Sequence, residues 1–362
     1  MRSRKIMTNV NKKFNIFDAV DKHDVEELIR ILTETKPDEL DVKLAFYQAV
    51  QKCYIRIVKV FVQHGYDINE IDPTFGETPL MHATRHGHCE LMKYLIQNKA
   101  DVNKKSFYNF RDGVTALHVA VSGPESNHER TQALKILVSV PGVKLNETAE
   151  DVKTPLMEAA WRGRPEAMKI LIDAGCDVNF KDHVTGKTAA HYCIEPHYQI
   201  TTLQSSVKCL KLLFACDVSL DVEDNHGDTP LMYAIKRNNM PAFKTLIYAN
   251  CKIDGNSLSD TKCTNKYLEK AIINCNMKAC QLLIRAGSPY HYLKTWENLM
   301  NCQSPHIIEY ISECLNEIRT LKDLSRIIVR SCIGYYPQKK IHLLDIPVSL
   351  KEYILLSDLE VT

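Results

Sequence analysis

Five hexapeptides on one template run through the chain: Thr78-Pro79-Leu80-Met81-His82-Ala83, Thr115-Ala116-Leu117-His118-Val119-Ala120, Thr154-Pro155-Leu156-Met157-Glu158-Ala159, Thr188-Ala189-Ala190-His191-Tyr192-Cys193 and Thr229-Pro230-Leu231-Met232-Tyr233-Ala234. Their threonines stand 37, 39, 34 and 41 residues apart. No other feature constrains the fold as much, because a unit of that length cannot bury its apolar face alone and must stack on its neighbours. The template spells a helix start. A threonine hydroxyl can cap the helix, and proline in the first turn gives up an amide that had no partner. The apolar residues two and five positions after the threonine then face the next unit, and a small residue at the second of these lets helices approach closely.

Each start leads to a second apolar helix pattern and a polar close. Leu91-Met92-Lys93-Tyr94-Leu95-Ile96 runs to Ala100-Asp101-Val102-Asn103, and Met168 to Ile172 runs to Ala174-Gly175-Cys176-Asp177-Val178-Asn179. Glycine after the second helix permits the left-handed residue that stops it. The T-P-L-H-x-A start, the turn at Gly87-His88 and the G-A-D-V-N type of close together resemble the ankyrin repeat. Degenerate copies extend the array. Phe46 and Ala49 open a repeat closing at Gly65-Tyr66-Asp67-Ile68-Asn69, Ile16 and Ala19 open an N-terminal capping repeat, and Leu268 with Ala271 begins another closing at Ala286-Gly287-Ser288. Residues 14–290 divide into about eight units of about 35 residues, near the ankyrin period of about 33. The expected fold is an all-α ankyrin solenoid, helix pairs joined by β-turn connections, after a disordered basic tail at 1–13.

Departures from the period are informative. Ser122 to Thr131 and Glu195 to Ser206 lengthen the connection between the two helices of a repeat and are read as surface loops. From Asn69 to Thr78 and from Asn179 to Thr188 is 9 residues, whereas from Asn103 to Thr115 is 12. That longer hairpin holds Phe107, Tyr108 and Phe110, with Phe75 and Phe180 in the corresponding connections of other repeats. Large aromatics on such connections are candidate anchors for a bound protein.

Composition narrows the function class by exclusion. A net charge of +2 gives no general case for nucleic acid or an anionic membrane, and no apolar run reaches the roughly 20 residues of a bilayer span. The basic start, Arg2, Arg4, Lys5, Lys12 and Lys13, lacks the apolar segment of a secretory signal. Thirteen scattered cysteines point to reduced thiols inside a cell, and the expected compartment is the cytoplasm, with the nucleus as an addition. No cofactor is expected. Cys275 and Cys280 lack a second pair at zinc-site spacing. His82 and His86 share a helix face, but His82 is read as the histidine of the repeat motif, shared with His118 and His191, where ring nitrogens brace turns between repeats. No nucleophile elbow, phosphate loop or H-E-x-x-H pair occurs, so the chain reads as a binding protein and not an enzyme.

After Tyr290 the repeat fades into an expected capping helix pair at 291–318, Leu293 to Met300 and Ile307 to Ile318. Beyond it Leu321, Leu324 and Ile328 fall at spacings of three and four, on one helical face. Then come Ser331-Cys332-Ile333-Gly334, a polar linker from Tyr336 to Lys340, and Ile346-Pro347-Val348-Ser349-Leu350-Lys351-Glu352-Tyr353-Ile354-Leu355. Periodicity alone fits a terminal cap as well as a docking helix. The order of elements over 319–362 resembles a SOCS box, and its union with the repeats is similar to the ankyrin repeat and SOCS box family.

That resemblance implies a substrate-recognition adaptor of a cullin-RING ubiquitin ligase. In the family a T/S-L-x-x-x-C motif binds elongin C of the elongin B and elongin C dimer. Thr320 and Leu321 match it, Ser325 stands where cysteine is usual, and Leu324 and Ile328 complete the face. The family's L-P-x-P segment, which favours cullin-5 with its RING subunit, corresponds to Ile346, Pro347, Val348 and Ser349 leading to Leu350, with the second proline missing. The repeats would hold a protein substrate. Two other readings stay open: an ankyrin scaffold or inhibitor without ubiquitin coupling, and an adaptor whose F-box-like tail recruits a Skp-type partner and cullin-1.

Overall fold

Capping by threonine sets the rhythm of the fold. The hydroxyls of Thr78, Thr154 and Thr229 accept the amides of Met81, Met157 and Met232 at 3.2–3.3 Å, and proline follows each threonine. At Thr115 and Thr188 the residue three places on is histidine. There the threonine amide donates to Nδ1 of His118 at 3.3 Å and of His191 at 3.1 Å, a reciprocal cap that satisfies two helix-end donors.

The computed structural model describes residues 15–35, 37–108, 111–122, 128–149, 153–195, 203–216, 218–253, 265–288 and 304–316. They fall in two compact units, Met1–Asp151 and Val152–Thr362. The first holds four helix pairs: α1 (Ile16–Asp21) with α2 (Val25–Arg30), α3 (Glu39–Gln51) with α4 (Ile55–Gln63), α5 (Pro79–His86) with α6 (Cys89–Gln97), and α7 (Ala116–Val121) with α8 (His128–Val138). A single π-helical turn, Ile31–Thr35, prolongs α2. The second unit also holds four: α9 (Pro155–Trp161) with α10 (Pro165–Asp173), α11 (Ala189–Ile194) with α12 (Leu203–Phe214), α13 (Pro230–Lys236) with α14 (Met240–Tyr248), and α15 (Lys266–Ile273) with α16 (Met277–Ala286). A further helix, α17 (Pro305–Asn316), packs on α16.

Within each unit the first helices of successive pairs stack on one another, and the second helices form the outer row. The template positions explain why. Leu80 with Ala83, Leu117 with Ala120, Leu156 with Ala159, Ala190 with Cys193 and Leu231 with Ala234 are all buried. Each buried leucine contributes about 1.5–3 kcal/mol. In the first unit Phe46 adds an aromatic nucleus, edge-on to Phe61 at 5.6 Å and stacked on Tyr66 at 4.1 Å.

The polar close is a staple between repeats. Asn69 Oδ1 accepts the amide of Asp101 at 2.8 Å, Asn103 Oδ1 that of Lys144 at 2.8 Å, Asn179 Oδ1 that of Ser219 at 2.9 Å, and Asp221 Oδ1 that of Lys252 at 2.8 Å. Asparagine recurs there because its side-chain oxygen reaches a loop amide one repeat away and ties the two closes together.

Two expectations need correction. The C-terminal parts of both insertions are helical, since α8 starts at His128 and α12 at Leu203, and Ser206 is fully buried. The apolar period of each second helix reaches back into the polar segment and orders it. The tail at 1–13, the first capping helix at 293–300 and the whole segment 319–362 lie outside the described residues.

Candidate functional site

The connections between repeats form fingers whose base lies beside the first helix of the repeat that follows. An aspartate organises three of them. Asp72 Oδ1 accepts the amide of Thr74 at 2.8 Å, Asp182 Oδ1 that of Val184 at 2.9 Å, and Asp224 Oδ1 that of His226 at 2.8 Å. The other oxygen of each is held by the residue four places after the helix-starting threonine: His82 Nε2 at 3.0 Å, the Tyr192 hydroxyl at 3.3 Å and the Tyr233 hydroxyl at 2.8 Å. Burial works to raise all three aspartate pKa values. Hydrogen bonds from His82 at Asp72, from Thr185 at Asp182, and from the Asp228 amide and Tyr233 at Asp224 outweigh it, leaving each below the ordinary range.

This geometry corrects the reading of His82. His118 and His191 stand three residues after their threonine and His82 four, so His82 lies about 100° further round the helix and faces the finger instead of the cap. Its Nε2 lies between Asp72 Oδ2 and Glu77 Oε2, the latter at 3.4 Å, and Glu77 also pairs with Arg85. Burial raises the Glu77 pKa against the pull of Arg85 and His82. Phe75 is half exposed at the finger tip, edge-on to the His82 ring at 5.8 Å and 5.9 Å from the Arg85 guanidinium. His191 instead braces the next finger: Nδ1 accepts from Thr188, so its proton sits on Nε2, which donates to the Asp228 carbonyl at 3.1 Å. Burial pushes its pKa down to about 4, so the ring is neutral at pH 7.

The longer connection of the first unit is a two-stranded antiparallel ribbon, β1 (Ser106–Tyr108) and β2 (Arg111–Val114), with Ser106 opposite Val114 and Tyr108 opposite Arg111. Phe107 and Tyr108 are on its first strand, and Phe110 lies outside the described residues. Phe180, in the second unit, is half-buried at the base of its finger. Thr320, Leu321, Leu324, Ser325 and Ile328, and likewise Ile346, Pro347, Val348, Ser349 and Leu350, lie outside the described residues.

The motif reading missed a second layer of side chains. At four of the five threonines the residue before it pairs with the residue seven places after it: Glu77 with Arg85, Lys187 with Glu195 at 2.5 Å, Asp228 with Lys236, and Lys153 over the Trp161 ring at 4.6 Å. Aligning the repeats on threonine exposes the two columns. Among the described residues no group of three or more His, Cys, Asp or Glu could hold a metal, and no helix is long and apolar enough to cross a membrane.

Comparison with known proteins finds two kinds of family match along the chain. The family of ankyrin repeats (3 copies) matches residues 46–148, 125–203 and 197–292, and the SOCS box family matches residues 317–355. Dog inversin is 27% identical over 192 residues, 52% of this chain and 16% of inversin. A protein of japonica rice named "Probable E3 ubiquitin-protein ligase XBOS33" is 27% identical over 176 residues, 39% of this chain and 33% of that protein. The chain spans less than half the length of these curated relatives. Among solved structures, the ankyrin repeat domain of Bcl-3, of the IkappaB family, superposes with a TM-score of 0.50 at 20% identity, covering 64% of this chain and 97% of that one.

Proposed function

Because the chain belongs to the ankyrin repeat and SOCS box family, we propose that it is the substrate-recognition adaptor of a cullin-RING ubiquitin ligase of the elongin B/C and cullin-5 type. The observation that carries this reading is the order of the two matches, a SOCS box at 317–355 on the C-terminal side of repeats whose match ends at 292. Both are protein-interaction modules and neither brings catalytic machinery. The likeness to XBOS33, named as a ubiquitin ligase, supports the same pathway.

The repeats capture a protein, with Phe75, Phe107, Tyr108, Phe110 and Phe180 as anchors. Phe75 is half exposed, with His82 and Arg85 flanking its ring at the finger tip, so little freedom is lost on binding. Thr320, Leu321, Leu324, Ser325 and Ile328 seat the box on elongin C, and Ile346 to Leu350 direct it to cullin-5. The ligase gains proximity, a target lysine held near a ubiquitin-charged enzyme at high effective concentration.

Titration of purified elongin B/C into the full chain tests the reading. Burial of one leucine is worth about 1.5–3 kcal/mol, so Leu321→Asp raises the Kd by well over tenfold. Ser325→Cys tightens binding modestly by removing a hydroxyl that desolvates at a cost. An affinity unaffected by Leu321→Asp, or none in the parent chain, overturns the proposal.

A further inference from the structure

Three exposed apolar side chains of the first unit meet on one face. Leu40, Lys43 and Tyr47 form a stripe along α3, at spacings of three and four. The stripe looks onto the base of the finger that precedes α5: Lys43 Nζ lies 2.8 Å from Glu70, and the Tyr47 hydroxyl donates to the Glu70 carbonyl and lies 3.1 Å from that of Glu77. Ile71 follows Glu70 in that finger. Phe75 lies against His82, whose ring is 5.1 Å from that of Tyr47. Leu40, Ile71 and Phe75 are all exposed, an apolar face with no covering element among the described residues.

The charge around this face is negative after every described pairing is counted. Six carboxylates, Asp38, Glu39, Asp41, Glu70, Asp72 and Glu77, stand against Lys43, Arg85 and the His82 ring, an excess that remains whether or not His82 carries a proton. Lys43 is shared by Glu39 and Glu70 and is 25% exposed, less than either partner at 84% and 34%. Arg85 pairs with the fully buried Glu77. Asp38 precedes α3 without a side-chain capping bond, and Asp41 is exposed in the first turn. The charges that reach water are therefore the carboxylates.

The chain's own first residues are delivered to this face. Asp21 Oδ1, at the end of α1, accepts from Gln48 Nε2 and Lys52 Nζ at the end of α3, both at 2.6 Å, so the two packed helices run in the same direction. Asn15, six residues before Asp21, is then level with Val42, six before Gln48, and the chain leading into it arrives beside the first turn of α3. Residues 1–13 contain Arg2, Arg4, Lys5, Lys12 and Lys13 but no aspartate or glutamate, and Ile6, Met7 and Val10 stand between the two basic groups. Thirteen residues reach at most about 45 Å, several times the spacing of packed helices.

We infer that the face of Leu40, Ile71 and Phe75 is a docking surface for residues 1–13 of the same chain. The arginines and lysines meet Asp38, Glu39 and Asp41, and the apolar residues between them cover the exposed side chains. Tethering makes the contact intramolecular, at an effective concentration on the order of millimolar. Only its consequence rests on the adaptor reading: with Phe75 an anchor, a captured protein must displace the segment.

The test uses the full chain and a fluorescein-labelled peptide with the sequence of residues 1–13, followed by fluorescence anisotropy. A full-length variant carrying Arg2→Gln, Arg4→Gln, Lys5→Gln, Lys12→Gln and Lys13→Gln leaves the face open and binds the peptide, and the parent binds it roughly tenfold or more weakly because its own segment competes. In that variant, adding Asp38→Asn, Glu39→Gln and Asp41→Asn weakens binding by roughly tenfold, and adding Leu40→Ser with Ile71→Ser by roughly fivefold. Carbodiimide, which condenses a lysine amine with a carboxylate in contact, joins Lys5, Lys12 or Lys13 to Asp38, Glu39 or Asp41 within one chain, as read by mass spectrometry of mixed isotope-labelled and unlabelled protein. All variants keep the parental unfolding midpoint and elongin B/C affinity, so failure here is separable from failure of the adaptor reading. No peptide binding by the open variant, equal binding by the parent, indifference to the carboxylates or to Leu40 and Ile71, or cross-links only between chains overturns the inference.

Discussion

His191 is held neutral by the fold. In the unfolded chain its pKa is about 6.5, and in the native state burial takes it down to about 4, so the unfolded state binds the proton first as pH falls. Its contribution is fully present above about pH 6.5 and is lost as pH falls toward 4, a total of roughly 3 kcal/mol, of which about 2 is gone at pH 5. Urea unfolding at pH 7.5 and pH 5 measures this. His191→Gln should be less stable at pH 7.5 but lose less on acidification, and parallel losses in variant and parent would reject the assignment. The residue scale also shows where sequence reading fails. His82, His118 and His191 look alike in a motif, yet a one-place offset sends His82 to the finger and leaves the caps to the other two. Asp72, Asp182 and Asp224 passed unnoticed because an aspartate in a turn is commonplace, and its second oxygen meets a helix residue about ten places away.

Elements were legible in proportion to how strictly they keep the repeat's punctuation. Gly87 and Gly163 end their first helices with φ of 71° and 60°, and a Cβ on Gly87 would come within 2.4 Å of Glu129 Cβ, so glycine there is compulsory. His23, Cys53, Asn238 and Cys275 hold the same left-handed turn, φ 52–57°, without glycine. The outer repeats therefore lack the mark that betrays the inner ones, although their apolar faces still show. Likewise the polar insertions hid the first turns of α8 and α12, because a helix start exposed on all but one side carries little apolar signal. The β1–β2 ribbon follows from its three extra residues, which fingers closed around a single aspartate do not need. If the ribbon's aromatics anchor the substrate, Phe107, Tyr108 and Phe110 replaced together by serine abolish target ubiquitination while elongin binding and the unfolding midpoint stay nearly unchanged. A large fall in the midpoint assigns the rings to the fold, and retained target binding moves the site elsewhere.

At the scale of the whole molecule the two ends of the chain speak through different signals. The repeats announce themselves by self-similarity, each copy checking the others, and the physical roles of threonine, proline and leucine follow from their places in the template. The C-terminal box occurs once. The spacing of Leu321, Leu324 and Ile328 is equally compatible with a cap, and only the composite order of the sequence segments, matched by the SOCS box family over 317–355, separates the two. Ile346 and Ser349 depart from the L-P-x-P segment on which the proposed choice of cullin-5 rests. Affinity purification of the intact chain from cells, with quantification of every cullin recovered, therefore tests the central claim most directly. The account predicts elongin B, elongin C and cullin-5 together, in excess over cullin-2 and all lost with Leu321→Asp. Recovery of cullin-1 with a Skp-type partner, a preference for cullin-2, or no cullin at all would contradict it.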